Sequence, residues 1–132
     1  DEIWLASSWK PWVVELLPES VNNLRDTYEK PLYVFGTKNF GTVNQKSMLN
    51  IPVDERDTFT QVPSPDVVEL NNLMNNSLPD DVFVNVLEGF CENKLKCRLF
   101  TDKGELISYD GSHVTKAGAA IYGKLIASSI GH

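Results

Sequence analysis

This chain has no apolar run long enough to cross a bilayer. A helical span needs about 20 such residues, and uninterrupted apolar stretches here stop at four, as in Leu32-Tyr33-Val34-Phe35. A cationic surplus is also missing: 12 Lys and Arg stand against 18 Asp and Glu, for a net charge of -6. Nucleic acid and anionic membrane surfaces reward basic patches, so neither is an expected partner of this segment. Only two cysteines are present, Cys91 and Cys97. They lack the C-x-x-C spacing and companion ligands of a metal site, so no metal is expected. Nor is there a G-x-S-x-G, whose glycines permit the sharp turn of a nucleophile elbow. Ser7 and Ser8 have alanine and tryptophan as neighbours instead.

What remains has the balance of a folded chain, 42% apolar and 23% charged. At 132 residues it makes one domain or part of one. Ile3–Ala6 reads as a short strand, with Ser7 and Ser8 at its C-terminal end, the edge where open α/β sheets place ligands. Residues 11–29 read as a helix in two pieces, opened by Pro11 and Pro18, with Val21, Leu24 and Tyr28 on one face. Leu32–Phe35 suits a strand buried on both faces. Residues 43–62 show no period and read as a long connection with one helical turn near Gln45–Leu49. Ser64-Pro65-Asp66 opens a helix whose stripe is Val67, Leu70, Leu73 and Met74.

Val82–Leu87 reads as a third buried strand, and Leu99-Phe100 and Leu106-Ile107 as a hairpin around a five-residue loop containing Gly104. A last helix is expected over Lys116–Ser129, packing through Ala117, Ala120, Ile121, Leu125 and Ser128. This order predicts an α/β fold, a parallel sheet with helices on its faces. Three strands would leave an apolar edge unpaired, to be completed by another segment or by self-association.

The chemistry concentrates at Tyr109-Asp110-Gly111-Ser112-His113-Val114-Thr115. Asp-Gly is a turn dipeptide, and Thr115 is a good N-cap for the last helix. Asp110 and His113 therefore fall on one tight loop between an apolar segment and a helix. A carboxylate that fixes a neutral imidazole is two-thirds of the Ser-His-Asp device. An imidazole with an unperturbed pKa of about 6.5 takes and returns a proton near neutral pH. The same spacing also fits a plain turn before a helix cap. Cys91 and Cys97 are two buried thiols or a disulfide. The polar residues between them, Glu92-Asn93-Lys94-Leu95-Lys96, favour a bridge, which would stabilise by about 2 kcal/mol and imply an oxidising compartment.

The block Asp-Gly-Ser-His-Val-Thr-x-x-Gly-Ala, followed by an apolar helix, resembles the last sequence block of the SGNH hydrolase superfamily. The likeness is nearest to the SGNH domain attached to membrane-bound O-acyltransferases of bacterial surface glycans. In that family a Cys pair and a short hairpin commonly precede the block, matching Cys91, Cys97 and Leu99–Ser108. Ala6-Ser7-Ser8-Trp9 looks like that family's strand ending in Ala-x-x-Trp, which would put Ser7, Ser8 and Trp9 on the wall of the site. The resemblance implies a three-layer flavodoxin-like sandwich with a five-stranded sheet. It also implies His113 as general base and acid, Asp110 as its orienting carboxylate, and no cofactor. The acceptor would be a glycan hydroxyl and the donor an acyl group, most simply acetyl, met in the full-length protein on the periplasmic or extracytoplasmic face of a membrane.

One departure is decisive for activity. The family's nucleophile lies in a Gly-Asp-Ser block on its first strand, and neither Gly-Asp-Ser nor Gly-x-Asn-Asp occurs here. Residues 1–132 are therefore expected to be the C-terminal part of such a domain, without the nucleophile strand and inactive alone. The usual asparagine oxyanion donor has no counterpart in Ala6–Trp9. Two alternatives stand beside this reading: a stand-alone SGNH-like esterase using Ser7 or Ser8, and a non-catalytic binding or assembly module.

Overall fold

The computed structural model describes residues 1–93 and 96–132. Three strands, β1 (Ile3–Ala6), β2 (Leu32–Phe35) and β4 (Phe83–Val84), form a parallel sheet in the order β1-β2-β4. Ile3 pairs with Leu32 and Ala6 with Phe35; Val34 pairs with Phe83. Leu32, Val34 and Phe35 are each at most 3% exposed. The four-residue apolar run is thus the central strand, covered on both faces as a parallel sheet requires.

Helices α1 (Pro11–Val14), α2 (Leu17–Tyr28) and α4 (Pro65–Ser77) cover one face, burying Val14, Leu17, Val21, Leu70 and Met74 against Leu32 and Val34. Helix α5 (Lys116–Ser129) covers the other, with Tyr122, Ile126 and the following Ile130 against Phe35, Val84 and Val86. The result is a three-layer, flavodoxin-like α/β sandwich. Burying a side chain such as Val34 stabilises by about 1.5–3 kcal/mol, so these alternating contacts define which face each strand residue takes.

The register directs the backbone groups of Ile3 and Leu5 toward β2; the Ile3 amide donates to Pro31 O at 2.8 Å. Those of Trp4 and Ala6 point the other way. Among the described residues no strand pairs with that outer side of β1.

A second sheet was not legible beforehand. β3 (Thr60–Gln61), β6 (Lys96–Arg98) and β5 (Cys91–Glu92) are antiparallel in the order β3-β6-β5. Cys91 lies opposite Cys97, and the two are joined as a disulfide. Of the polar loop expected between them, residues 94 and 95 lie outside the described residues. This sheet packs on Phe40, Leu99, Phe100 and Ile107. Arg56 holds the long connection to the hairpin loop, donating to Ile51 O, Leu49 O and Gly104 O and lying over the Phe100 ring. The connection also contains α3 (Gln45–Leu49), capped by Asn44, and a 3-10 turn at Val53–Glu55.

Several expectations are corrected. The strand at 82–87 shortens to Phe83–Val84, because the chain turns there and the Val86 amide donates to Val84 O. Tyr28 is 57% exposed, and Leu73 is 43% exposed on a wall of the groove that also holds Trp9. Ser64 makes no side-chain cap. Helix α5 begins and ends where expected, but Ala120 and Ser128 are exposed and Gly118 is its buried residue. A Cβ at Gly118 would run into the carbonyl of Ile107, so only glycine lets the helix approach that segment.

Candidate active site

The site begins with backbone chemistry at the segment before α5. Ser108 is fully buried. Its hydroxyl donates to His113 O at 2.7 Å and accepts from the Gly111 amide at 2.9 Å, so one side chain ties both limbs of the turn. Gly111 has φ +92, a conformation L side chains rarely adopt, and a Cβ there would strike Gly41 O. Thr115 closes the turn: its Oγ1 accepts from the Gly118 amide at 3.1 Å, capping α5, and its own amide donates to Ile107 O. The expected N-cap is present and the expected Asp-Gly turn takes the left-handed form at glycine.

On this frame Asp110 and His113 meet. Asp110 Oδ1 accepts from the amides of Ser112 at 2.9 Å and His113 at 2.8 Å. Its Oδ2 lies 2.6 Å from His113 Nδ1. These bonds, the His113 amide foremost, hold the Asp110 carboxyl down at about 2, because each stabilises the charged form. With Nδ1–H donating to the carboxylate, the Nε2 lone pair faces outward; the His113 side chain is 71% exposed. Tyr109 stacks on the imidazole at 5.9 Å between centroids, 13° from parallel. Such an imidazole can accept a proton at Nε2 and keep the resulting charge beside a fixed carboxylate.

The loop leaving β2 braces this turn from the sheet side. The Phe40 amide donates to Gly111 O at 2.8 Å, Lys38 Nζ to Ser112 O at 3.1 Å, and Asn39 Nδ2 to Ser112 Oγ at 3.3 Å. Burial holds the Lys38 ammonium below the usual lysine range, opposed by the Asp110 carboxylate. Asn71, 1% exposed, clamps Thr37 from α4: its Oδ1 accepts from the Thr37 amide at 2.9 Å and its Nδ2 donates to Thr37 O at 2.7 Å. Leaving either backbone group buried and unpaired would cost about 1–3 kcal/mol, so the exit of the central strand is held firmly.

Ser7, Ser8 and Trp9 line the same groove as Ser112 and His113, at the C-terminal edge of β1. Neither serine is hydrogen-bonded to His113. Trp9 is both wall and core: it packs on the α1–α2 face while Nε1 donates to Phe35 O at 2.7 Å. The Ser112 hydroxyl is held by Asn39 from the loop after β2, while the Ser112 amide donates to Asp110 Oδ1 within the turn. Sequence reasoning passed over Ser108 and Asn71; Ser108, a lone polar residue between Ile107 and Tyr109, offered a signal, whereas Asn71 stands beside Asn72 and offered none. Among the described residues no three His, Cys, Asp or Glu side chains gather as metal ligands, and no helix is long and apolar enough to cross a membrane.

No protein-family model and no curated protein matches the chain by sequence. Its fold is shared with an acetyltransferase domain among solved structures. That structure is the periplasmic domain of a lipopolysaccharide acetyltransferase of Salmonella ser. Paratyphi A, with a TM-score of 0.71 and 13% identity over 99% of this chain. The match covers 57% of that domain, so this chain spans little more than half its length.

Proposed function

We propose that this chain supplies the acid–imidazole part of a Ser-His-Asp triad in an SGNH-type O-acyltransferase that acylates a surface-glycan hydroxyl. His113 is the general base and then the general acid, and Asp110 orients it. The serine comes from outside these residues, on a strand that pairs with the open side of β1. Residues 1–132 are then the C-terminal part of the catalytic domain, on the extracytoplasmic side of a membrane protein. The observation that carries the reading is the imidazole whose Nδ1 is tied to Asp110 while its exposed ring lines a groove at the C-terminal edge of a parallel sheet. The fold shared with an acetyltransferase's periplasmic domain and the Cys91–Cys97 bridge support it.

The test is p-nitrophenyl acetate turnover by the 132-residue chain and by a chain extended with its own upstream coding sequence. The short chain is expected at background. The extended chain should turn over, and His113→Ala should lower the rate by about 10⁴-fold. Turnover by the short chain that Ser7→Ala or Ser8→Ala abolishes would establish the stand-alone esterase instead. An extended chain indifferent to His113→Ala would leave only a binding or assembly module.

A further inference from the structure

We propose that the α4 wall of the groove is a subsite for a neutral, hydroxyl-rich chain, one without carboxylates or phosphates. The proposal rests on the triad reading and adds where the acceptor lies and what charge it carries. The groove that holds His113 continues along α4 and encloses about 1160 Å³. Single small ligands fill about 300–1,000 Å³, so this space suits an extended one.

Asp66, Glu69, Asn72 and Asn76 all line it from α4. Their spacing of three, three and four puts them in one row on a helix. None of the four side chains has a hydrogen-bond or ion-pair partner among the described residues. Two carboxylates and two amides in a row accept and donate in the pattern that sugar hydroxyls answer. Leu73, 43% exposed, and Trp9 give apolar surface for the faces of sugar rings.

Charge narrows the class. A polyanion lying along α4 would face Asp66 and Glu69 directly, and like charges juxtaposed at an interface cost several kcal/mol. A polycation would meet Lys10 on the facing wall and Lys38 beside the Asp110 turn. A neutral polyol satisfies both walls, donating to the acids and accepting from the lysines.

The measurement is an NMR titration of the 132-residue chain with neutral hexasaccharides of galactose, glucose, mannose and N-acetylglucosamine, and with the galacturonate hexamer. At least one neutral hexamer is expected to shift signals of residues 66–76 and the Trp9 indole. The galacturonate hexamer should bind at least about 10-fold more weakly than that sugar, a difference worth about 1.4 kcal/mol. Glu69→Lys, on an exposed helix face, should reverse that order. Galacturonate binding as tightly as the best neutral hexamer would overturn the proposal. So would a panel in which no neutral hexamer moves those signals. The two readings fail separately. Binding at α4 without His113-dependent turnover in the extended chain sinks the triad and spares the subsite. His113-dependent acylation of galacturonate as fast as of neutral sugars does the reverse.

Discussion

The parallel sheet draws its strands from residues 3 to 84 and relies on helices over both faces, whereas the antiparallel sheet has two or three residues per strand and a covalent bond between β5 and β6. Among the described residues the first leaves the outer side of β1 without a strand partner; the second is tied down locally by the disulfide and by Arg56. The candidate site belongs to neither alone. Its loop leaves the segment packed on the antiparallel sheet and is then received by the exit of β2 through Phe40, Lys38 and Asn39. Gln61 joins the halves again, donating from β3 to Phe40 O at 2.7 Å and Thr42 O at 2.9 Å. Placing the imidazole at a junction of two independently braced units keeps its side chain exposed while its backbone is fixed.

The largest expected effect tests the asymmetry of β1. Leu5→Pro removes an amide that the register directs at β2, and should cost about 3 kcal/mol or more in unfolding free energy. Ala6→Pro removes one directed at the open side and should cost less than about 1 kcal/mol. Equal losses in denaturant titrations would mean that the outer side of β1 is not free.

A smaller loss should follow from Cys91→Ser with Cys97→Ser. Opening a loop of this size costs about 2 kcal/mol by chain entropy. Calorimetry should show a melting temperature lower by several degrees, about 3–5 °C per kcal/mol for a chain of this length. If amide exchange then rose as much in β2 as in β6, the two sheets would not be separately braced.

The smallest effect lies at the junction. Asp110 is depressed from 3.8 to about 2. The unfolded chain therefore binds its proton first, and the stability this group gives is complete above about pH 4 and lost as pH falls through 2. Carboxyl carbon shifts should titrate accordingly. In His113→Ala the carboxyl should stay below 3.8, because the amide at position 113 still donates. A return to 3.8 in that variant would assign the depression to the imidazole instead.

The elements legible in the sequence were those with a strong local signature. Proline at the start of α1 and α4, the Thr115 cap and the apolar runs of β1 and β2 each act within a few residues. The antiparallel sheet gave no such signal, because strands of two residues have no period and are defined by what lies opposite them. At the site, Asp110 and His113 were readable because three residues bring them together on one turn. Asn71 and Lys38 were not, since their partners lie 34 and 74 positions away, and Ser108 acts only once the turn it ties is already closed.

By itself the sequence determined that a carboxylate and an imidazole share one short loop ahead of a capped helix. Turn chemistry and capping are local, and the chain needs no distant partner to specify them. Only the tertiary structure decided that Nδ1 faces Asp110, that the turn rests on the exit of the central strand, and that one side of β1 is left open. Those outcomes come from burial and hydrogen bonding between segments far apart in the chain, which no short stretch of residues encodes.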